Sequence, residues 1–172
     1  MIDRFIEKAR IAGAEVERVA DGRAAAAYIW DFLETNGLRT VLISPDLKLR
    51  PPFDKEFAGT ATALGADSIW VDVGIVAADY GVAETGTLVH FDRSDPEKNA
   101  WTLPEVCFCL LEARSVAASL DDLAPALSAH LGRTDIPSPQ VSLVTGPSRT
   151  ADIECQLTIG VHGPSRLIIL LT

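Results

Sequence analysis

Two short strings of the sequence combine a permissive backbone with groups that bind ligands or move protons. The first is Glu84-Thr85-Gly86-Thr87, in which a carboxylate and two hydroxyls surround a glycine that lets a ligand approach the main chain closely. Glu84 could act there as a nucleophile or a base if its surroundings are dry, or else accept turn hydrogen bonds from Thr85 and Thr87. The second is Gly146-Pro147-Ser148-Arg149-Thr150, followed closely by Asp152 and Glu154. Pro147 fixes one backbone angle, and Ser148 and Thr150 are good helix caps. The unpaired N–H groups of a helix start beside Arg149 can hold a phosphate or carboxylate. The competing reading is a capped turn whose Arg149 pairs with Asp152 or Glu154 at the surface. His162, in the tight turn His162-Gly163-Pro164, is either an acid, base or ligand, or a turn histidine bonded to a nearby carbonyl.

Metal chemistry has weaker support. Cys107, Cys109, Cys155, His90, His130 and His162 show neither CxxC nor HExxH spacing, so no metal site and no iron–sulfur cluster is expected on this chain. There is no glycine-rich dinucleotide fingerprint and no Walker loop. Cys107 and Cys109 share one face of an apolar run, which reads as buried thiols in a reducing compartment. Trp30, Trp70 and Trp101 lack the spacing of a stacking platform and fit packing roles.

These residues need elements to position them. Residues 22–36 follow Asp21 as an N-cap, place Ala25, Ile29, Phe32 and Leu33 on one stripe, and stop at Asn36-Gly37, which predicts a helix. Residues 40–44 read as a parallel strand covered on both faces, and Pro51-Pro52 breaks the chain. Helical spacing continues through Phe53, Phe57, Ala61 and Leu64 to a strand at 68–71. Residues 82–83 and 87–91 are β-like on either side of the first turn. A loop or short helix at 92–102 precedes a strand at 106–111. Leu120, Leu123, Ala124, Leu127 and Leu131 line a helix opened by Asp121-Asp122 and closed by Gly132. After a connector at 134–140, a buried strand at 141–145 runs into the second turn, a short helix from 151 to about 159 follows it, and a strand at 167–171 ends the chain. The alternation predicts a single α/β domain over residues 1–172, with a mainly parallel sheet covered by helices and ligands at the carboxyl ends of its strands.

Composition bounds the function. At 172 residues and 48% hydrophobic, the chain suits one core. No apolar run nears the roughly 20 residues of a bilayer span, and the N-terminus lacks a signal-peptide pattern, so a cytoplasmic location is expected. Fifteen basic against 24 acidic residues give a charge of −9, which disfavours nucleic acid as a partner.

Two longer strings carry a resemblance. Ala83-Glu84-Thr85-Gly86-Thr87-Leu88-Val89 is one; residues 145–154 with Gly160-Val161-His162-Gly163-Pro164 are the other. Together they resemble the signatures of the LUD family, also called LutC/YkgG after lactate utilization protein C. The resemblance covers residues 21–172, with residues 1–20 as a shortened form of the family's N-terminal helices. It implies a fold similar to phosphosugar isomerases and CoA transferases. It also implies an accessory or substrate-handling role in oxidising L-lactate to pyruvate, with iron–sulfur clusters on separate partner subunits and no cofactor on this chain. By analogy with CoA transferases of that fold, Glu84 becomes the candidate catalytic residue of an acyl/CoA-transferase-like or phosphosugar-handling enzyme. A non-catalytic ligand sensor or scaffold is the remaining reading. The expected binding residues are Thr85, Gly86, Thr87, Gly146, Ser148, Arg149, Thr150, Asp152, Glu154 and His162, around a small carboxylate or phosphorylated ligand.

Overall fold

The computed structural model of the chain describes residues 1–44, 47, 57, 71–92, 95–150, 158–160 and 162–172. Its elements begin with α1 (Ile2–Ile11), β1 (Glu15–Arg18), α2 (Gly22–Asn36), β2 (Val41–Ile43), β3 (Val71–Ala77), β4 (Tyr80–Val82) and β5 (Thr87–Asp92). They continue with α3 (Asp95–Thr102), β6 (Pro104–Leu111), β7 (Val116–Ala117), α4 (Ala124–Leu131), β8 (Gln140–Val144), β9 (Arg149–Thr150), β10 (Thr158–Ile159) and β11 (Arg166–Leu171).

Five strands form a wholly parallel sheet in the order β1-β11-β6-β3-β2. Its central strands are apolar at nearly every position because both faces are covered. Alternation assigns the side chains. Val106, Phe108, Leu110, Ile168 and Leu170 pack with Ala25, Ala26, Ile29 and Leu33 of α2. Cys107, Cys109, Leu111, Leu167, Ile169 and Leu171 pack with Phe5 and Ala9 of α1, Ala100 and Trp101 of α3, and Leu88 of β5. Each fully buried Leu, Ile or Phe contributes about 1.5–3 kcal/mol, so the two layers dominate the stability. Helix α2 has the ends its sequence predicts: the Asp21 carboxylate accepts from the Arg23 and Ala24 N–H groups at 2.9 and 2.8 Å, and Gly37 stops the helix at φ 67°.

Beyond the second layer lies a separate mixed sheet in the order β7-β4-β5-β8. The strand expected at 141–145 is therefore not buried: β8 pairs with β5 along one side, and among the described residues no strand covers its other side, leaving Leu143 exposed. The helix expected from Leu120 to Leu131 starts as a 3-10 turn at Asp121–Leu123 and becomes α4. Leu123 is buried and Leu127 partly so, but Leu120 and Leu131 face solvent. The helix turns His130 inward, where the ring stacks on Phe91 at 4.4 Å and its Nε2 lies 3.0 Å from the Gln140 carbonyl.

At the N-terminus, Ile2–Ile11 is helical, and Glu15–Arg18, within the stretch expected as helices, is an edge strand of the parallel sheet. The helix expected at 53–64, apart from Phe57, and residues 68–70 with Trp70 lie outside the described residues, as do Ala151 to Leu157. Phe57 is buried against Trp30 with ring centroids 5.6 Å apart. At the far end of the helix expected behind the second turn, Thr158–Ile159 is a strand, antiparallel to Arg149–Thr150. No helix among the described residues is long and apolar enough to cross a membrane.

Candidate functional site

Strands β4 and β5 form an antiparallel hairpin, with Val82 opposite Thr87, and residues 83–86 make its connection. Gly86 closes the turn at φ 72°, its N–H donating to the Val82 carbonyl at 2.8 Å. The N–H groups of Ala83 and Glu84 donate to the carbonyls of Ala117 and Ala118, which extends the pairing of β4 with β7. Glu84 is thereby fixed at the surface. Its Oε1 accepts from the Leu120 N–H at 3.3 Å, so the partner is this neighbouring loop and not the expected Thr85 or Thr87. The hydroxyls of Thr85 and Thr87 lie 2.7 Å from each other instead.

The second turn leaves the adjacent strand. Leu88 is opposite Val144, so Thr87 comes to face Thr145, and their hydroxyls meet at 2.7 Å. A continuous row of three hydroxyls, Thr85, Thr87 and Thr145, thus joins the two turns. Each hydroxyl can donate once and accept twice, so the row can serve a ligand oxygen in either role.

Helix α1 ends against both turns. A side chain on Gly86 would overlap the backbone nitrogen of Ala9, and one on Gly146, at φ 76°, would overlap the Ala12 carbonyl oxygen. Arg149 reaches back over Gly13 to donate from Nη2 to the Ala12 carbonyl at 2.7 Å. A guanidinium at a helix C-terminus meets the negative end of the helix dipole. The Arg149 partner among the described residues is therefore α1; Asp152 and Glu154 lie outside them. Arg149 is exposed, and its rigid fork carries further donors.

Gly160 and residues 162–165 complete the neighbourhood. The Ser148 N–H donates to the Pro164 carbonyl at 2.9 Å, the Gly160 N–H donates to the Ser148 carbonyl at 3.0 Å, and a Cβ on Gly163 would sit 3.2 Å from that of Ser148. His162 is exposed there. Thr150 lies in β9, paired with Thr158. The fold thus sets Gly86, Gly146 and Arg149 against the end of α1, links Thr85 and Thr87 of the first turn to Thr145 before the second, and places Glu84 beside Leu120 and Ser148 beside Gly160 and Pro164, with Thr150 and His162 on the adjoining strand and loop. Thr145 was missed by sequence reasoning. The signal was present: both turns carry a Thr-Gly pair, Thr85-Gly86 and Thr145-Gly146.

Among the described residues, no group of three or more His, Cys, Asp or Glu side chains is placed to hold a metal ion. Burial pushes the Cys107 thiol up to about 12, and burial followed by the neighbouring Cys107 pushes Cys109 well up, so both stay neutral and are poor nucleophiles.

A family model described as LUD domain matches residues 52–172. The protein YkgG of Escherichia coli (strain K12) is 31% identical, over 98% of this chain and 78% of its own length. Lactate utilization protein C of Geobacillus kaustophilus (strain HTA426) is 31% identical over 60% of this chain, and that of Geobacillus thermodenitrificans (strain NG80-2) 30% over 55%. The matched parts make up only 45% and 40% of those two relatives. Among solved structures, a DUF162 family protein from Deinococcus radiodurans superposes with a TM-score of 0.64 over 99% of this chain and 94% of its own, at 16% identity, which establishes the likeness of fold.

Proposed function

The chain belongs to the LUD domain family, and we propose on that footing that it serves lactate utilization by binding a small carboxylate where its two glycine turns meet. The observation that carries this reading is the row of hydroxyls from Thr85 through Thr87 to Thr145, with Glu84 at one turn and Arg149 at the other. Arg149 supplies donors matched to a carboxylate, and the threonine hydroxyls bond its oxygens. Glu84, an acceptor when ionised, takes a hydrogen bond from a ligand hydroxyl. In this account the chain handles the substrate, and separate iron–sulfur subunits take the electrons when L-lactate becomes pyruvate.

A second reading draws on the exposure of Glu84 and the Leu120 N–H that steadies its Oε1. A carboxylate so placed can attack a CoA thioester, forming an acyl anhydride and releasing the thiolate. It predicts an adduct that hydroxylamine traps in the native protein and that Glu84→Gln lacks.

The test is thermal unfolding with L-lactate, pyruvate, phosphosugars and CoA esters, in the native protein and in Arg149→Ala. A ligand that binds the folded state raises the melting temperature by mass action. The proposal expects L-lactate or pyruvate to raise it, and the rise to vanish in the variant. A flat response to both, or an equal rise in the variant, contradicts it.

A further inference from the structure

Away from the turns, a cavity of about 290 Å³ is lined by Ala77, Ala78, Asp79, Tyr80, Leu110, Glu112, Arg114 and Ser115. It lies where the two central parallel strands end: Ala77 of β3 is opposite Leu110 of β6, and the Ala78 N–H donates to the Leu110 carbonyl at 2.9 Å. In open parallel sheets this carboxyl edge is where ligands collect. The volume is near the lower end for small-molecule sites. None of the residues of the two glycine turns lines it.

Two of its groups are already oriented. The Arg114 Nε donates to Glu112 Oε2 at 2.5 Å, and the guanidinium ends in the two-nitrogen fork of Nη1 and Nη2. Such a fork suits a planar carboxylate. The Asp79 side chain is only 8% exposed, its Oδ2 accepting from the Phe91 N–H at 2.9 Å and standing 3.7 Å from Nδ1 of the buried His90. The His90 Nδ1 lies 3.1 Å from the Ala77 carbonyl, which can only accept, so that nitrogen carries a proton. A nearly buried carboxylate in a cavity wall, braced from behind in this way, is an acceptor for a ligand hydroxyl. Among the described lining residues, two carboxylates, Asp79 and Glu112, accompany one guanidinium. Extra negative charge on a ligand is therefore repelled, which favours a monoanion over a phosphate dianion.

We propose that this cavity binds a small hydroxy carboxylate, with its carboxylate on the Arg114 fork and its hydroxyl donating to Asp79. It is a second site, at the opposite end of the β4–β5 hairpin from Glu84. The choice of L-lactate as the hydroxy acid to try rests on the reading proposed above; the ligand class rests on the cavity.

The experiment follows backbone amide shifts of the full chain during titration with L-lactate, with propionate, which lacks the hydroxyl, and with inorganic phosphate. L-lactate should move the amides of residues 77–80 and 112–115 along a saturable curve. Propionate should bind there at least about fivefold more weakly, because a hydrogen bond to a charged group is lost. Phosphate should be weaker than L-lactate. Arg114→Gln, at an exposed position that leaves the core intact, should abolish the response. Asp79→Asn should reduce the preference for L-lactate over propionate; if that variant does not fold, Arg114→Gln and the propionate comparison decide the matter. Silence at these residues, equal binding of propionate, or an unchanged response in Arg114→Gln overturns the proposal. Shifts confined to residues 84–87 and 145–150 overturn it while leaving the turn site standing, and shifts confined to the cavity do the reverse.

Discussion

The Thr87 hydroxyl, on a nearly buried strand position, meets the Thr145 hydroxyl at 2.7 Å across the β5–β8 pair. Antiparallel pairing puts the ends of two strands side by side, so chain segments 58 residues apart become one surface. Removing either hydroxyl leaves the other short of a partner. Thr87→Val should cost about 1–2 kcal/mol in denaturant unfolding. Combined with Thr145→Val, it should show a coupling of about 0.5 kcal/mol or more, and strictly additive costs would mean the bond is not formed in solution.

The glycines of the turns should be far less replaceable than an ordinary helix-stop glycine. Gly86→Ala and Gly146→Ala force an unfavourable backbone region and also drive a methyl into the main chain of α1. Each should cost at least about 2 kcal/mol. Gly37 has a similar φ of 67°, but a Cβ there would meet nothing within 4 Å, so Gly37→Ala should cost only about 1 kcal/mol. Equal losses at all three positions in urea melts would remove α1 from the account of the turns.

Asp72 links the start of β3 to the segment entering β2. Burial pushes its carboxyl upward, but the Arg39 and Thr40 N–H groups, at 2.9 and 2.8 Å, and the Thr40 hydroxyl outweigh burial and hold it below its ordinary value of 3.8. A carboxyl lowered in the folded state stabilises fully above pH 3.8, and that contribution fades as pH falls through the lowered value. Asp72→Asn should therefore cost about 1 kcal/mol at neutral pH and flatten the acid limb of the stability curve. An acid limb unchanged by the substitution would show that Asp72 is not one of its sources.

The raised thiols give a chemical prediction. Cys107 and Cys109 should resist iodoacetamide at pH 8 in the folded protein and alkylate only on unfolding, as peptide mass spectrometry can read for each residue. Modification of either at the rate of a free thiol would mean that the β6 layer opens readily.

Much of this was legible in the sequence, for physical reasons that differ by element. Helix α2 announced both its ends through Asp21 and Gly37, and the central strands β6 and β11 announced themselves through unbroken apolar runs. Strand β8 misled because its apolar residues suggest burial, whereas its place at a sheet edge depends on pairing partners that composition does not encode. The face of α4 misled because His130, polar by type, is the residue that stacks inward on Phe91. The two turns were legible as glycine-bearing strings, but not the contact of both with α1. That contact joins residues far apart along the chain, and short-range spacing carries no trace of it. The Asp79–His90 pair was invisible for the same reason: its members become neighbours only when β5 folds back along β4.

The central claim is that the two turns form one ligand site, and the amide resonances of Gly86 and Gly146 test it most directly. On titration with L-lactate, the account predicts that both move together along a single saturation curve, and that Arg149→Ala abolishes both movements. If only one responds, or the two follow curves of different midpoint, the turns do not share a ligand and the account of the site is wrong.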